Sequence, residues 1–247
     1  MRCTVEFFAG LRERAGRDRI VIEDVPDGLT VAAFKRLLVE RHPELGTLDG
    51  VRAVLGTAYV DEDTTVPADA TVHLLPPVSG GQGEPSDDPA HGPTLEEGVF
   101  ELSATALDPA RALARVGDPG CGGNVLFTGT TRGRNRERDV DRLDYEAFDR
   151  MCGPEMARIF ERCLATCGPP VAQVGTDPAE RRLRMLVQHR SGVVEVGEPS
   201  VVVAVASPHR NAAFEAARFL IDALKESLPV WKRECYSDGH HWIGEGS

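Results

Sequence analysis

The stretch that most constrains this chain is Pro76-Pro77-Val78-Ser79-Gly80-Gly81, which has the make-up of a carboxyl-terminal tail although the chain runs on to Ser247. Before it lies an apolar strand pattern, Thr71-Val72-His73-Leu74-Leu75, and after it Gln82 to Pro93 offers almost nothing to bury. The two prolines hold the segment extended, and the two glycines end it without a side chain. Six such residues reach roughly 20 Å from a domain, at about 3.3–3.6 Å per residue. That suits threading a chain end into a narrow pocket, whereas Gly-Gly taken alone, being commonplace, favours a plain linker.

Charge is distributed unevenly about this point. Residues 1–81 hold 9 basic and 13 acidic side chains, 82–97 none and 5, and 98–247 19 and 21. An acidic small domain, an acidic linker and a nearly neutral larger domain argue against nucleic acid as a partner. The amino-terminal residues lack a signal-peptide pattern, since Arg2 and Glu6 interrupt the apolar start, and Val201 to Ala206 is too short to cross a bilayer. Six cysteines form no Cys-x-x-Cys pair and no zinc-like spacing, which fits reduced thiols in a cytoplasmic protein without a metal centre. Cys163 and Cys167, one helical turn apart, read as packing.

Residues 1–81 read as a β-grasp (ubiquitin-like) domain. Strands are expected at Arg2 to Phe8, Ile20 to Ile22, Val51 to Leu55, Ala58 to Val60 and Thr71 to Leu75. A helix from Val31 to about His42, capped by Thr30, ends before Pro43. Residues 82–94 read as a flexible acidic linker and 95–247 as an α/β domain, so the whole is α+β. In the second domain, strands are expected near Gly98 to Leu102, Gly122 to Thr131, Leu143 to Glu146, Leu183 to Gln188 and Val201 to Ala206. Helices are expected from Asp108 to Arg115 and from Pro154 to Ala165, with residues 168–182 a surface excursion. The arginines from Arg132 to Arg142 read as a solvated loop, Arg132 alone being placed by the strand before it.

Ser207-Pro208-His209-Arg210 reads as a helix start, with Ser207 as N-cap and Pro208 in the first turn. His209 and Arg210 then join the helix dipole in favouring a phosphate or carboxylate; an ordinary capped helix with exposed polar residues is the alternative. Phe214, Ala217, Ile221, Leu224 and Leu228 form the stripe expected in the core. The chain has 25 arginines but only three lysines, Lys35, Lys225 and Lys232. A lysine retained against that bias suits a task arginine cannot perform, such as giving up a proton. His240-His241 is no metal pair on a strand, since adjacent residues face opposite sides.

Two groups of residues carry a family resemblance. Val5-Glu6-Phe7-Phe8-Ala9-x-Leu11-Arg12-Glu13 and Leu75-Pro76-Pro77-Val78-Ser79-Gly80-Gly81 resemble the small, sulfur-carrier subunit of molybdopterin synthase. Phe127-Thr128-Gly129-x-x-Arg132, Ser207-x-His209-Arg210-x-x-Ala213-Phe214, Lys225, Pro229-x-Trp231-Lys232-Arg233-Glu234 and Trp242 resemble its large, catalytic subunit. The chain thus resembles a fusion of the two. The resemblance implies sulfur transfer to cyclic pyranopterin monophosphate, giving the molybdopterin dithiolene without a cofactor or metal. It implies that Gly81, after Gly80 in the tail, carries a thiocarboxylate made with an adenylating enzyme, two charged carriers being used per product. It implies Lys225 and Lys232 as catalytic lysines, Arg132, His209 and Arg210 as binders of the anionic pterin, and Phe127 as pocket lining.

Three departures matter. Gln82 follows Gly81 by an amide, which cannot be adenylated as a carboxylate can, so cleavage after Gly81 by a protease is expected. Relatives continue past the last strand with more basic residues, and Cys163 to Arg182 is longer and richer in proline than is usual. Arg210 and Lys225 stand fifteen residues apart on one expected helix, about 22 Å, so a site using both requires a homodimer that shares it. Two rivals stay open: a non-catalytic ubiquitin-like and pterin-binding scaffold, and a catalytic half served by a separate carrier.

Overall fold

The computed structural model describes residues 1–77, 94–135, 137–168 and 182–243, the side chains of the last two excepted. The tail glycines Gly80 and Gly81, nearly all of the expected linker, Arg136, most of the 168–182 excursion and the Trp242 side chain lie outside the described residues. Among the described residues, no helix is long and apolar enough to cross a membrane. The chain forms two compact units.

The first unit is a five-stranded sheet in the order β2-β1-β5-β3-β4, comprising β1 (Cys3–Phe7), β2 (Arg19–Ile22), β3 (Arg52–Leu55), β4 (Ala58–Val60) and β5 (Thr71–Leu75). β1 and β5 are parallel while the other pairs are antiparallel, which is the β-grasp arrangement. Alternation in β1 sends Cys3, Val5 and Phe7 to one face. There they meet Phe34 and Leu38 of helix α2 (Val31–Arg41). Thr30 caps that helix, its hydroxyl accepting from the Ala33 amide at 3.3 Å. A further helix, α1 (Ala9–Ala15), falls between β1 and β2, where the sequence pattern gave only strands, and Gly16 closes it in the left-handed region.

The second unit has two sheets. The first runs β6-β10-β12-β7, comprising β6 (Val99–Ser103), β7 (Gly123–Thr130), β10 (Arg184–Arg190) and β12 (Pro199–Ser207). Val201, Val203 and Val205 of β12 pack on helices α4 (Asp149–Cys167) and α5 (Arg210–Ser227), while Val202, Ala204 and Ala206 pack on α3 (Pro109–Val116). A strand buried on both faces shows no alternation, which is why residues 201–206 are apolar throughout. Cys163 and Cys167 are buried in α4, as packing requires. The second sheet runs β11-β9-β13-β14, comprising β9 (Arg138–Ala147), β11 (Gly192–Glu195), β13 (Val230–Tyr236) and β14 (His241–Ile243), with β8 (Arg134–Asn135) paired to β9. The arginine-rich segment expected as a loop is therefore largely a β8–β9 hairpin, with Arg134 opposite Asp139.

Two expectations around α5 are corrected. Ser207 is no helix cap: it ends β12 opposite Gly123, wholly buried, and α5 begins at Arg210 with His209 in the N-cap position. The antiparallel pairing with β7 runs on through Ser207, so ladder hydrogen bonds outweigh a local capping preference. Phe214 is not core but 62% exposed. Ala213, Ala216, Ala217 and Leu220 face the sheet instead, because small side chains let helix and strand approach closely.

Candidate functional site

β7 and α5 diverge from one tight joint. A Cβ on Gly123, at the start of β7, would stand 2.8 Å from the Arg210 Cα and 2.9 Å from its amide nitrogen. Only glycine allows that approach, and it sets the first turn of α5 against the first residue of the strand. His209 and Arg210 are both exposed there, at a helix end whose first amides lack intrahelical partners. From this joint, Lys225 is fifteen residues along α5, about 22 Å. The other end of β7 is about 23 Å along the strand, and Arg132 lies two residues beyond it. One copy of the chain thus separates His209 and Arg210 from both Lys225 and Arg132.

Phe127 lies midway along β7. It is 38% exposed on the edge strand β7, and its ring reaches along the strand, Cε1 standing 3.6 Å from where a Cβ on Gly129 would be. That same Cβ would meet the Val201 Cγ1 at 2.6 Å, so Gly129 leaves room for both neighbours.

Lys225 is exposed in the last turn of α5, where the negative end of the helix dipole favours an ammonium. Leu228 and Pro229 then lead into β13. The joint is held by α4, since the Phe148 amide donates to the Pro229 carbonyl at 2.9 Å and the Cys152 thiol to the same oxygen at 3.8 Å. Lys232 follows on β13 as the direct cross-strand neighbour of Tyr145.

Period two along β13 puts Lys232, Glu234 and Tyr236 on one face. Lys232 Nζ lies 3.3 Å from Glu234 Oε1. Glu234 Oε2 accepts from the Asn135 amide at 2.7 Å and from the Tyr236 hydroxyl at 3.0 Å. Burial pushes the Glu234 carboxyl up, but the Asn135 and Tyr236 donors and the Lys232 ammonium together outweigh it and hold the group below the usual range. The Arg138 guanidinium stands over the Tyr236 ring at 5.3 Å, and burial with the Glu234 contact raises that phenol.

Tyr145 links this face to the Arg132 end of β7. Burial raises its phenol, against a hydrogen bond with Ser200, and the Glu234 charge raises it further. The Ser200 hydroxyl also donates to the Gly129 carbonyl at 3.1 Å. His189 meets the Tyr145 ring edge-on at 5.1 Å, and burial lowers its pKa, keeping the imidazole neutral. Lys232 is thus linked through Tyr145 and Ser200 to the backbone of Gly129, which lies on β7 between Phe127 and Arg132. Sequence reasoning singled out Phe127, Arg132 and Lys232 and missed Tyr145 and Glu234. For Glu234, the period-two run Lys232-x-Glu234-x-Tyr236 was the available signal.

Among the described residues no cluster of three or more His, Cys, Asp or Glu could hold a metal ion. The arrangement can bind an anion beside a planar group, and it holds an ammonium against a fixed carboxylate.

Comparison with known proteins gives a separate line of evidence. Residues 102–227 match the family described as MoaE protein, and residues 5–81 match the ThiS family. Over 154 residues the chain is 38% identical to molybdopterin synthase catalytic subunit 1 of Mycobacterium tuberculosis, covering 61% of this chain and 96% of the relative. It is 32% identical to the molybdopterin synthase catalytic subunit of Bacillus subtilis over 148 residues, 59% of this chain and 85% of that one. Among solved structures, molybdopterin synthase from Staphylococcus aureus superposes with a TM-score of 0.50 at 25% identity, covering 59% of this chain and 96% of that chain.

Proposed function

The chain belongs to the molybdopterin synthase catalytic-subunit family, with a ThiS-family domain ahead of it in the same polypeptide, and from that premise we propose how this fusion carries its own sulfur to its substrate. It is a sulfur-transferring enzyme of molybdenum cofactor biosynthesis. In our reading the substrate is cyclic pyranopterin monophosphate and the product is the molybdopterin dithiolene. The donor is a thiocarboxylate on Gly81, formed by an adenylating and sulfurating enzyme after a protease cuts the Gly81–Gln82 amide. Gly80 and Gly81 suit this role because a tail without side chains can enter a narrow site. The cytoplasm is the compartment that fits reduced thiols and this chemistry.

Lys232 and Lys225 are the proposed catalytic groups, holding the carrier's terminal carbonyl and moving protons during sulfur addition. Arg132, His209 and Arg210 bind the anionic pterin, and Phe127 lines its pocket. The single observation that carries this assignment is the link from Lys232, held by Glu234, through Tyr145 and Ser200 to Gly129, the β7 residue between Phe127 and Arg132. His209 and Arg210 stand at the other end of α5, about 22 Å from Lys225. They complete the site only when a second copy supplies them, so the working enzyme is a homodimer with shared sites.

The first test is intact-mass analysis of the protein purified from its own host. A fragment ending at Gly81 with one oxygen replaced by sulfur is the expected result. Full-length 26.8 kDa chain alone, active only when a separate charged carrier is added, would overturn self-donation and leave the catalytic half served by that carrier.

A further inference from the structure

We propose that Arg190 and Glu198 are positioning residues for Arg132, acting through the turn between β11 and β12. Arg132 stands between two residues that this turn holds. On its amino side, the Thr131 amide donates to the Glu198 carbonyl at 3.0 Å, and the Gly197 amide donates to the Thr131 carbonyl at 2.8 Å. On its carboxyl side, a Cβ on Gly133 would stand 3.2 Å from the Val196 Cγ1, so Val196 lies directly against that backbone. The Gly133 carbonyl is itself taken by the Val140 amide at 3.0 Å, which ties the segment to β9.

The turn is closed by charge. Glu198 Oε2 accepts from the Glu195 amide at 3.2 Å and from Arg190 Nη1 at 3.5 Å. Arg190 Nη2 donates to the Val193 carbonyl at 2.7 Å, so one buried guanidinium spans β11 and the turn after it. Gly197 takes a positive φ of 85° to make the bend. Arg190 Nε is buried without a hydrogen-bond partner, as is Thr131 Oγ1. An ion pair with one buried and one partly exposed partner, and with an unsatisfied donor, is a poor device for stability. Its geometry makes better sense as a device for precision, since it fixes the residue before and the residue after an exposed arginine. An arginine on such a pinned backbone loses less freedom when it grips an anion.

The inference rests on the reading of Arg132 as a binder of the substrate anion, and the test separates the two. Binding of cyclic pyranopterin monophosphate to the full-length chain is measured by calorimetry for the unaltered protein, Arg132→Ala, Glu198→Gln and the double variant. Arg132→Ala should weaken binding by about tenfold or more, as for a lost charge-assisted hydrogen bond. Glu198→Gln should weaken it too, and the double variant should bind no more weakly than Arg132→Ala alone, because a positioning effect has nothing left to position. Glu198→Gln binding like the unaltered protein, or adding its full loss to that of Arg132→Ala, overturns the proposal. Unchanged binding by Arg132→Ala overturns instead the reading of Arg132 beneath it. Should Glu198→Gln fail to fold, Val196→Ala at an exposed position gives the same comparison. It is expected to weaken binding in the Arg132 background and to be silent in the Arg132→Ala background, and equal losses in both overturn the proposal.

Discussion

Lys232 Nζ lies 3.3 Å from Glu234 Oε1, and the other Glu234 oxygen is taken by Asn135 and Tyr236, so the proposed catalytic ammonium rests on a carboxylate that cannot turn away. Glu234→Gln keeps the shape but gives up charge-assisted bonds, at a cost of about 1–3 kcal/mol. The folded carboxyl sits below its ordinary value of 4.5, so its contribution is full above that pH and is lost as pH falls through the folded value. Acid unfolding followed by circular dichroism should therefore show the variant and the unaltered protein converging as pH drops below about 4.5, with the gap open at neutral pH. A constant gap across that range would mean the carboxylate is not held ionised.

The approach of α5 to β7 gives a second prediction. With its Cβ 2.8 Å from the Arg210 backbone, Gly123→Ala must push the start of α5 outward. Overpacking of this kind costs about 1–3 kcal/mol. Because His209 and Arg210 move with the helix end, substrate binding should fall as well as melting temperature. Calorimetry and thermal denaturation on the same preparation check both, and a variant with unchanged binding would detach that helix end from the site.

The sequence reading succeeded where one physical signal dominates and failed where two compete. Val201 to Ala206 could be read as a core strand because burial on both faces leaves no other pattern, and Thr30 could be read as a cap because its hydroxyl reaches the Ala33 amide within one local turn. Ser207 misled because pairing with Gly123 continues past the point where a cap would form. Phe214 misled because helical period locates a stripe only to within a residue, and here alanines occupy the close contact. Arg132, Lys225 and Lys232 stood out by type and position. The Glu234 and Tyr145 contacts depend on β9 and β13 pairing across a long sequence separation, which no local pattern reveals.

Thiol reactivity should follow burial. The Cys152 thiol is pushed up to about 12 by burial, and Cys163 is raised further still for the same reason. Cys235 is only half-buried, on β13 beside Glu234. Alkylation of the native protein at pH 8 should modify Cys235 first, with Cys152 and Cys163 labelled only after unfolding. Peptide mass mapping reads the order, and early labelling of Cys163 would contradict the packing of α4.

The shared site makes the sharpest prediction. Arg210→Ala and Lys225→Ala should each abolish nearly all activity with an added thiocarboxylated carrier. If every site takes Arg210 from one protomer and Lys225 from the other, a mixed dimer keeps one site with both residues intact and one with neither. Unfolding and refolding the two variants together in equal amounts should restore about a quarter of normal activity, since half the dimers are mixed and each has one working site. If instead one chain supplied both residues, no combination of the two variants would contain an intact site, and the mixture would stay as inactive as its parts. The about 22 Å that α5 puts between the two side chains is the reason to expect recovery.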